Sequence, residues 1–174
     1  MANTSARLLI GSLMYLMTGS RPDLCYSVSF FSQFQSNFTD QHWKELKNVL
    51  RYLLKTKDLC LKFTKTGQTV PYTLTTYVDA SYAPDKTDRK SVTGFFIKIN
   101  NCLITWKTKK QSVVALSTAE AEYVAMSLCL VECLFLKQLL NTVDLKTDKI
   151  KVREDNEPAI TMASTLCFGG FSHR

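Results

Sequence analysis

Three acidic residues, Asp79, Glu122 and Asp155, occur in contexts from which their carboxylates could do chemistry together. Asp79 lies near the end of the run 72–81, whose alternating β-branched and aromatic residues predict a strand. Asp155 follows the short run 150–152, also a predicted strand, and Glu122 lies near the start of a predicted helix. Carboxylates on separate rigid elements can bind Mg²⁺ and leave coordination positions for water and phosphate. Two such ions could activate a water and stabilise the leaving oxygen of a phosphodiester.

Two of these acids also have structural explanations that the sequence leaves open. Asp79 could begin the turn that runs to Asp85. Asp155 and Asn156 precede Pro158, and Asp or Asn before a first turn that contains proline is an ordinary helix cap. The metal site is therefore a hypothesis that depends on the three acids meeting in space.

The helix predicted over residues 118–141 offers two acids for the middle role, Glu120 and Glu122. Ser117 and Glu120 have the spacing of a capping box, in which each side chain accepts a hydrogen bond from the other residue's backbone. Glu120 thus has a sufficient structural role. Glu122 stands among the mostly apolar residues 121–126, where a carboxylate is costly to bury unless it is paired or bound to metal. Glu122 is therefore favoured as the ligand.

The hydrophobic spacing predicts the elements that must position these acids. A period near 3.6 in the first part of the chain predicts helices, and a change to alternation predicts one short strand after them. The turn 65–68 is the predicted domain boundary, and strands and helices alternate beyond it. The predicted helices are 5–18, 22–34, 41–55, 118–141 and one from 157, and the predicted strands are 59–64, 72–81, 91–100, 102–107 and 150–152.

Composition restricts the classes of protein to consider. The net charge of +7 is compatible with a polyanionic partner and equally with a merely basic soluble protein. The six Cys have no metal-binding spacing, which predicts reduced, buried thiols in an intracellular protein. No membrane span is expected, because no run of 18 apolar residues occurs, and residues 1–7 are not typical of a signal peptide.

Several segments of the chain resemble the Pol polyproteins of copia-type LTR retrotransposons (Pseudoviridae). Segments similar to their ribonuclease H region are YVDAS (77–81), DRKSVTG (88–94), ITW (104–106), KKQSVVALSTAEAEY (109–123) and EDN (154–156). Segments similar to the connection between reverse transcriptase and ribonuclease H are LLIGSLMY (8–15), TGSRPDL (18–24) and VLRYL (49–53). The resemblance covers nearly the whole chain in the order of the family.

The resemblance implies a reverse transcriptase connection segment at 1–68 and an α/β ribonuclease H-like domain, a mixed sheet flanked by helices, at 69–174. It implies hydrolysis of the RNA strand of RNA–DNA hybrids with two Mg²⁺ ions, for which Mn²⁺ could substitute. Asp79, Glu122 and Asp155 match the metal-binding acids. The implied partners are the hybrid and the rest of the reverse transcriptase polypeptide, without a membrane. The implied location is intracellular, in a cytoplasmic particle or the nucleus.

The implied substrate also suggests binding residues. Basic side chains near the predicted site are expected to contact phosphates, which positions a nucleic acid without reading its sequence. Ser81 and Asn156 are expected near 2′-hydroxyls, which distinguish RNA from DNA. The basic candidates are Arg89, Lys90, Lys107, Lys109 and Lys110.

The chain departs from the family pattern in its last part. The pattern continues into a His-Ile-Asp stretch that supplies a fourth acid, whereas this sequence ends at residues 172–174 and is expected to be truncated. Glu154 stands where the family commonly has Cys, Gly169-Gly170 is unusual, and the polymerase acids are absent. The alternatives are therefore a catalytically impaired hybrid-binding module and a transposon relic.

Overall fold

A computed structural model describes residues 2–65 and 71–168, with side chains over 4–65 and 71–165. The chain divides into two compact units, Met1–Lys62 and Phe63–Arg174. The boundary predicted between residues 68 and 69 lies outside the described residues, as do the predicted Gly169-Gly170 irregularity and the terminal segment 172–174.

The first unit is helical, as its periodicity predicts. It contains α1 (Ala2–Gly19), a 3₁₀ turn (Pro22–Leu24), α2 (Cys25–Ser32) and α3 (Asp40–Lys55). Proline lacks a backbone N–H, and the helix expected from Pro22 begins as a 3₁₀ turn and ends at Ser32 rather than Phe34. The apolar faces of these helices form one core, made by Ile10, Leu13, Leu24, Val28, Phe31 and Leu46.

A buried arginine joins the start of α2 to the end of α3. Arg21 is only 6% exposed. Its guanidinium lies 2.7 Å from the carboxylate of Asp23 and donates to the hydroxyl and carbonyl of Thr56 at 2.6 and 3.1 Å. The hydrogen bond from Arg21 lowers the pKa of Asp23, so the carboxylate remains charged and the pair stays closed.

The second unit is built on a mixed four-stranded sheet. Its strands are β1 (Leu74–Ser81), β2 (Val92–Ile99), β3 (Cys102–Lys110) and β4 (Lys151–Arg153), in the order β3-β2-β1-β4. β1 pairs antiparallel with β2 and parallel with β4. With α4 (Thr118–Thr142) and α5 (Glu157–Phe168), this confirms the predicted α/β class and is compatible with a ribonuclease H-like fold.

One face of α4 packs on the centre of the sheet. Cys129 and Cys133 are fully buried there, and the Cys129 sulfur lies 2.7 Å from the Thr76 hydroxyl on β1. Among the described residues α4 alone has the length and mean hydropathy, 1.6, of a membrane span. Of that apolar window 22% is buried, and the helix contacts the sheet. The absence of a membrane partner stays a prediction.

Three local expectations need correction. Residues 59–65 are irregular, so the strand predicted at 59–64 is wrong. Alternation alone supplies no neighbouring strand, and Leu59 and Phe63 are exposed. Cys60 is exposed and Cys102 half-buried, contrary to the prediction of buried thiols. The strand predicted to end at residue 107 continues to Lys110, because β3 stays paired with β2 as far as Val92.

Candidate functional site

Two of the predicted site acids lie just beyond the end of the parallel pairing between β1 and β4, although Asp79 is still paired with Gly94 of β2. The parallel pairing of β1 with β4 ends at the partners Tyr77 and Arg153. Asp79 and Asp155 each stand two residues beyond that pair, and both side chains are exposed. The carboxyl ends of adjacent parallel strands are where α/β proteins commonly bind ligands. The long-range pairing therefore brings together two acids that are far apart in sequence.

The third predicted acid, Glu122, approaches this edge from α4. It is only 7% exposed, and it accepts a hydrogen bond from the backbone of Ala80, the residue after Asp79. Burial raises the pKa of Glu122 to about 7, and repulsion from Glu154 and, more weakly, from Asp79 and Asp155 adds to the rise. Glu122 therefore lies within electrostatic reach of Glu154, Asp79 and Asp155.

Glu154 is a member of the site that the sequence reasoning missed. Its Oε1 accepts hydrogen bonds from the backbone of Asp155 at 3.2 Å and of Asn156 at 3.1 Å. Burial raises the pKa of Glu154, and repulsion from Asp155 and Asp79 acts in the same direction. The side chain also lines a cleft of about 550 Å³ whose other walls include Tyr123. The only signal in the sequence was an acid in place of the family's usual Cys.

Asp79, Glu122, Glu154 and Asp155 together form the carboxylate cluster. Among the described residues, no three or more His, Cys, Asp or Glu side chains already have an arrangement that could hold a metal ion. The cluster does supply what Mg²⁺ prefers, which is several carboxylate oxygens and concentrated negative charge. Moreover, Oε2 of Glu122 and Oε2 of Glu154 are buried, and neither has a hydrogen-bond partner within the described part of the chain. The residue types are therefore those that bind a divalent cation, but among the described residues their positions do not form a metal site.

The structure gives Glu120 a different place from Glu122. The Ser117 hydroxyl accepts the Glu120 N–H at 3.1 Å, which is the first half of the predicted capping box. The second hydrogen bond of the box goes to a different residue, because Glu120 Oε2 accepts the N–H of Leu116 at 2.7 Å instead of that of Ser117. Glu120 is therefore engaged at the helix start, and Glu122 is the glutamate of this pair that faces the other acids.

Asn156 and Ser81, the predicted contacts to 2′-hydroxyls, flank the cluster. Asn156 Oδ1 accepts the N–H of Ala159 at 2.9 Å, so this residue caps α5. The capping role proposed as the alternative explanation for Asp155 is thus performed by its neighbour. Ser81 is exposed at the end of β1.

The predicted phosphate contacts are only partly available. Lys107 is paired with Glu132 on α4 at 2.6 Å. Lys110 is paired with Asp88 at 2.7 Å and with Asp85 at 3.2 Å.

The other basic candidates are Arg89 and Lys90, in the loop before β2, and Lys109, on β3. Lys109 and Arg89 are exposed, and Lys90 is half-buried. Arg89 adopts a φ of 55°, a left-handed backbone conformation within the loop that precedes β2. These three residues are therefore better placed than Lys107 and Lys110 to offer charge to a polyanion.

Comparison with known proteins relates the chain to two kinds of relative. It is 42% identical over 127 residues to the secreted RxLR effector protein 161 of Plasmopara viticola, covering 73% of this chain and 87% of that protein. It is 38% identical over 159 residues to the retrovirus-related Pol polyprotein from transposon TNT 1-94 of Nicotiana tabacum, covering 91% of this chain. It is 43% identical over 120 residues to the corresponding polyprotein from transposon RE2 of Arabidopsis thaliana, covering 69% of this chain.

The matches cover very different fractions of the relatives' own lengths. The chain spans 12% of the tobacco polyprotein and 8% of the Arabidopsis polyprotein. No model of a protein family and no solved structure matches the chain.

Proposed function

We propose that the second unit is a ribonuclease H-like nuclease that hydrolyses the RNA strand of RNA–DNA hybrids, because the chain is similar to retrotransposon Pol polyproteins. The observation that carries the proposal is the carboxylate cluster. Its members come from the ends of two parallel strands and from the helix that packs on them. The mixed sheet, with this placement of acids, supports a ribonuclease H-like fold.

In this proposal Asp79, Glu122 and Asp155 hold two Mg²⁺ ions, or Mn²⁺ in their place. When bound, such ions supply an activated water and stabilise the charge that develops on the leaving oxygen. The protein's own contribution is to hold the acids on rigid elements. The hydrogen bond from the Ala80 backbone fixes Glu122 against β1, beside Asp79.

The substrate would be positioned by groups around the cluster. Exposed Arg89 and Lys109 would contact phosphates, and Ser81 would approach a 2′-hydroxyl. Lys107 and Lys110 would contribute only by exchanging their present carboxylate partners for phosphate. The unit would act beside the rest of a reverse transcriptase polypeptide inside the cell, with residues 1–68 as the connection segment.

Cleavage of a labelled RNA strand in an RNA–DNA hybrid tests the proposal. The native chain should cut only when Mg²⁺ or Mn²⁺ is present, and Asp79→Asn should abolish cutting while hybrid binding persists. Asp144→Asn is the matched control, because Asp144 is exposed and its left-handed φ of 58° is one that Asn also tolerates. Failure of the native chain to cut at any Mg²⁺ or Mn²⁺ concentration would overturn the proposal.

A second candidate function is hybrid or RNA binding without cleavage. It is favoured by the absence, among the described residues, of a ready arrangement of ligands for a metal. The effector protein of Plasmopara viticola, of which the chain spans 87%, indicates that a protein of this extent can exist apart from a polyprotein. A binder would show salt-dependent affinity with little response to Mg²⁺, whereas the nuclease requires the metal for turnover. A relic would show neither property.

A further inference from the structure

The sheet of the second unit has one face on which aromatic side chains lie together. On β1, Tyr77 is 40% exposed, whereas its neighbours Thr76 and Val78 are buried. Successive residues of a strand point to opposite faces, so Tyr77 lies on the face opposite to theirs. Tyr77 is paired with Phe96 of β2, and Phe96 is paired with Trp106 of β3. The three aromatic side chains therefore share one face of the sheet, which we call the aromatic face.

The described helices of the second unit join the core on the other face. Cys129 of α4 is buried in that core, and α5 packs on α4. Lys107, the residue after Trp106, reaches Glu132 on α4 at 2.6 Å, so Trp106 itself points away from that helix. Among the described residues of this unit, no helix covers the aromatic face.

Two of the aromatic rings form a stack that another ring could extend. The ring centroids of Tyr77 and Phe96 are 4.7 Å apart, and the ring planes differ by 17°. The Lys98 ammonium lies 5.4 Å from the centroid of Tyr77 and 5.5 Å from that of Phe96. Phe96 covers one face of the Tyr77 ring, and the exposed fraction of Tyr77 leaves room for a planar base against the other.

Basic side chains border the rings. On β4, Lys151 and Arg153 are exposed, and Val152 between them packs against the core, so the two cations point to the aromatic face. Arg153 is paired with Tyr77 itself. In the described part of the chain, none of Lys98, Lys151 and Arg153 has a carboxylate within ion-pair distance. The aromatic face therefore combines exposed ring surface with three cations that lack counter-charge.

The basic part of the aromatic face has a limit along β1. Asp79 follows Tyr77 by two residues and so points to the same face. Lys98 and Lys151 lie on the other side of Tyr77, since both are paired with Thr75. A polyanion is therefore expected over the part of the sheet from Thr75 to Tyr77 and not over Asp79.

We propose that the aromatic face binds single-stranded nucleic acid, whose bases stack on the exposed rings and whose phosphates contact the three cations. Stacking accepts any base but needs unpaired bases, which a duplex does not offer. A partner protein with an apolar surface would cover the rings and leave the cations without counter-charge. The inference goes beyond the proposed function and does not rest on it, because it concerns another surface and uses none of the carboxylates.

Titration of the full chain with single-stranded oligonucleotides of about ten nucleotides tests the proposal. Oligothymidine and oligouridine are titrated separately to distinguish DNA from RNA, and EDTA prevents metal-dependent cleavage. Fluorescence anisotropy of the labelled oligonucleotide gives the affinity. In a Trp43→Phe background the remaining tryptophan is Trp106, which reports on the aromatic face itself. We expect at least one oligonucleotide to bind, to quench Trp106 fluorescence and to lose affinity as salt is added.

Two variants, each with a matched control, locate the binding. Tyr77→Leu removes the ring but keeps an apolar side chain, and it should weaken binding about tenfold through the loss of a stacked base. Tyr15→Leu is its control, because Tyr15 is 80% exposed on α1 of the first unit. Lys98→Gln should lower the slope of log affinity against log salt by about 0.7, as the loss of one phosphate contact does. Lys44→Gln, at an exposed position on α3, should leave the slope unchanged.

Three outcomes would overturn the proposal. The first is that neither oligonucleotide binds at low salt. The second is that Tyr15→Leu weakens binding as much as Tyr77→Leu. The third is that Tyr77→Leu abolishes self-association of the chain in sedimentation and leaves its affinity for oligonucleotides unchanged, which would make the aromatic face a protein contact. Circular dichroism establishes that Tyr77→Leu is folded; if it is not, the comparison of Lys98→Gln with Lys44→Gln decides.

Discussion

The buried Glu122 makes a prediction about stability as a function of pH. In the folded chain this carboxyl holds its proton to a pKa of about 7, whereas its ordinary value is 4.5. Between these values the folded state binds a proton that the unfolded state has released. Stability therefore falls as pH rises through this window, and it levels off above the folded pKa. The penalty for ionising Glu122 in place is ~3 kcal/mol when fully developed.

Glu122→Gln removes that penalty, because glutamine stays neutral at every pH. Near pH 4.5 the native chain and the variant should have similar free energies of unfolding. At pH 8 the variant should be more stable by up to ~3 kcal/mol, which at a slope of ~2 kcal/mol per molar urea moves the unfolding midpoint by ~1.5 M.

The assay is urea unfolding at several pH values between 4.5 and 8, in a Trp43→Phe background. Trp106 on β3 then reports on the second unit alone. Glu157→Gln is the control and should follow the native pH profile. Parallel profiles for the native chain and Glu122→Gln would refute the reasoning, since they would show that Glu122 ionises as easily when folded as when unfolded. Mg²⁺ at pH 8 should stabilise the native chain and have much less effect on the variant.

Two further predictions concern the stability that a buried ion pair and a helix cap provide. Arg21→Ala should destabilise the first unit by about 2 kcal/mol or more, because it leaves the partly buried Asp23 carboxylate without its ion-pair partner. Urea unfolding followed by Trp43 fluorescence measures this loss. An unchanged unfolding midpoint would contradict the prediction. Asn156→Ala should lower the free energy of unfolding by about 1 kcal/mol, because α5 loses its cap, whereas Asn156→Asp should retain most of the stability. Thermal unfolding compares the two variants. Equal losses would show that capping is not the role of this side chain.

Much of the framework could be predicted because it depends on local spacing. Alternation in residues 72–81 and helical spacing after Ser117 give β1 and α4 with ends close to the observed ones. The two-residue turn at Asn100-Asn101 also follows from residue type, since Asn tolerates the positive φ of 48° found at Asn100. The strand predicted at 59–64 is wrong for the opposite reason, because a strand needs a neighbour that local spacing does not supply.

The site could be predicted only in part, because its members meet through long-range pairing. Spacing identified Asp79 and Asp155 as residues at strand ends, but the parallel register that places both at one edge is a property of the sheet. Glu122 was favoured over Glu120 by its apolar surroundings, and the structure places it beside the other acids. Glu154 was missed because its burial arises from tertiary packing and no local pattern marks it.

The central claim is that the carboxylate cluster binds divalent cations, and anomalous X-ray diffraction from crystals grown with Mn²⁺ tests it most directly. The account predicts anomalous density among Asp79, Glu122 and Asp155, in contact with their oxygens. Asp79→Asn crystals grown in the same solution should lose most of that density. A fully ordered cluster with no anomalous peak at saturating Mn²⁺, or with Mn²⁺ bound only elsewhere, would contradict the account.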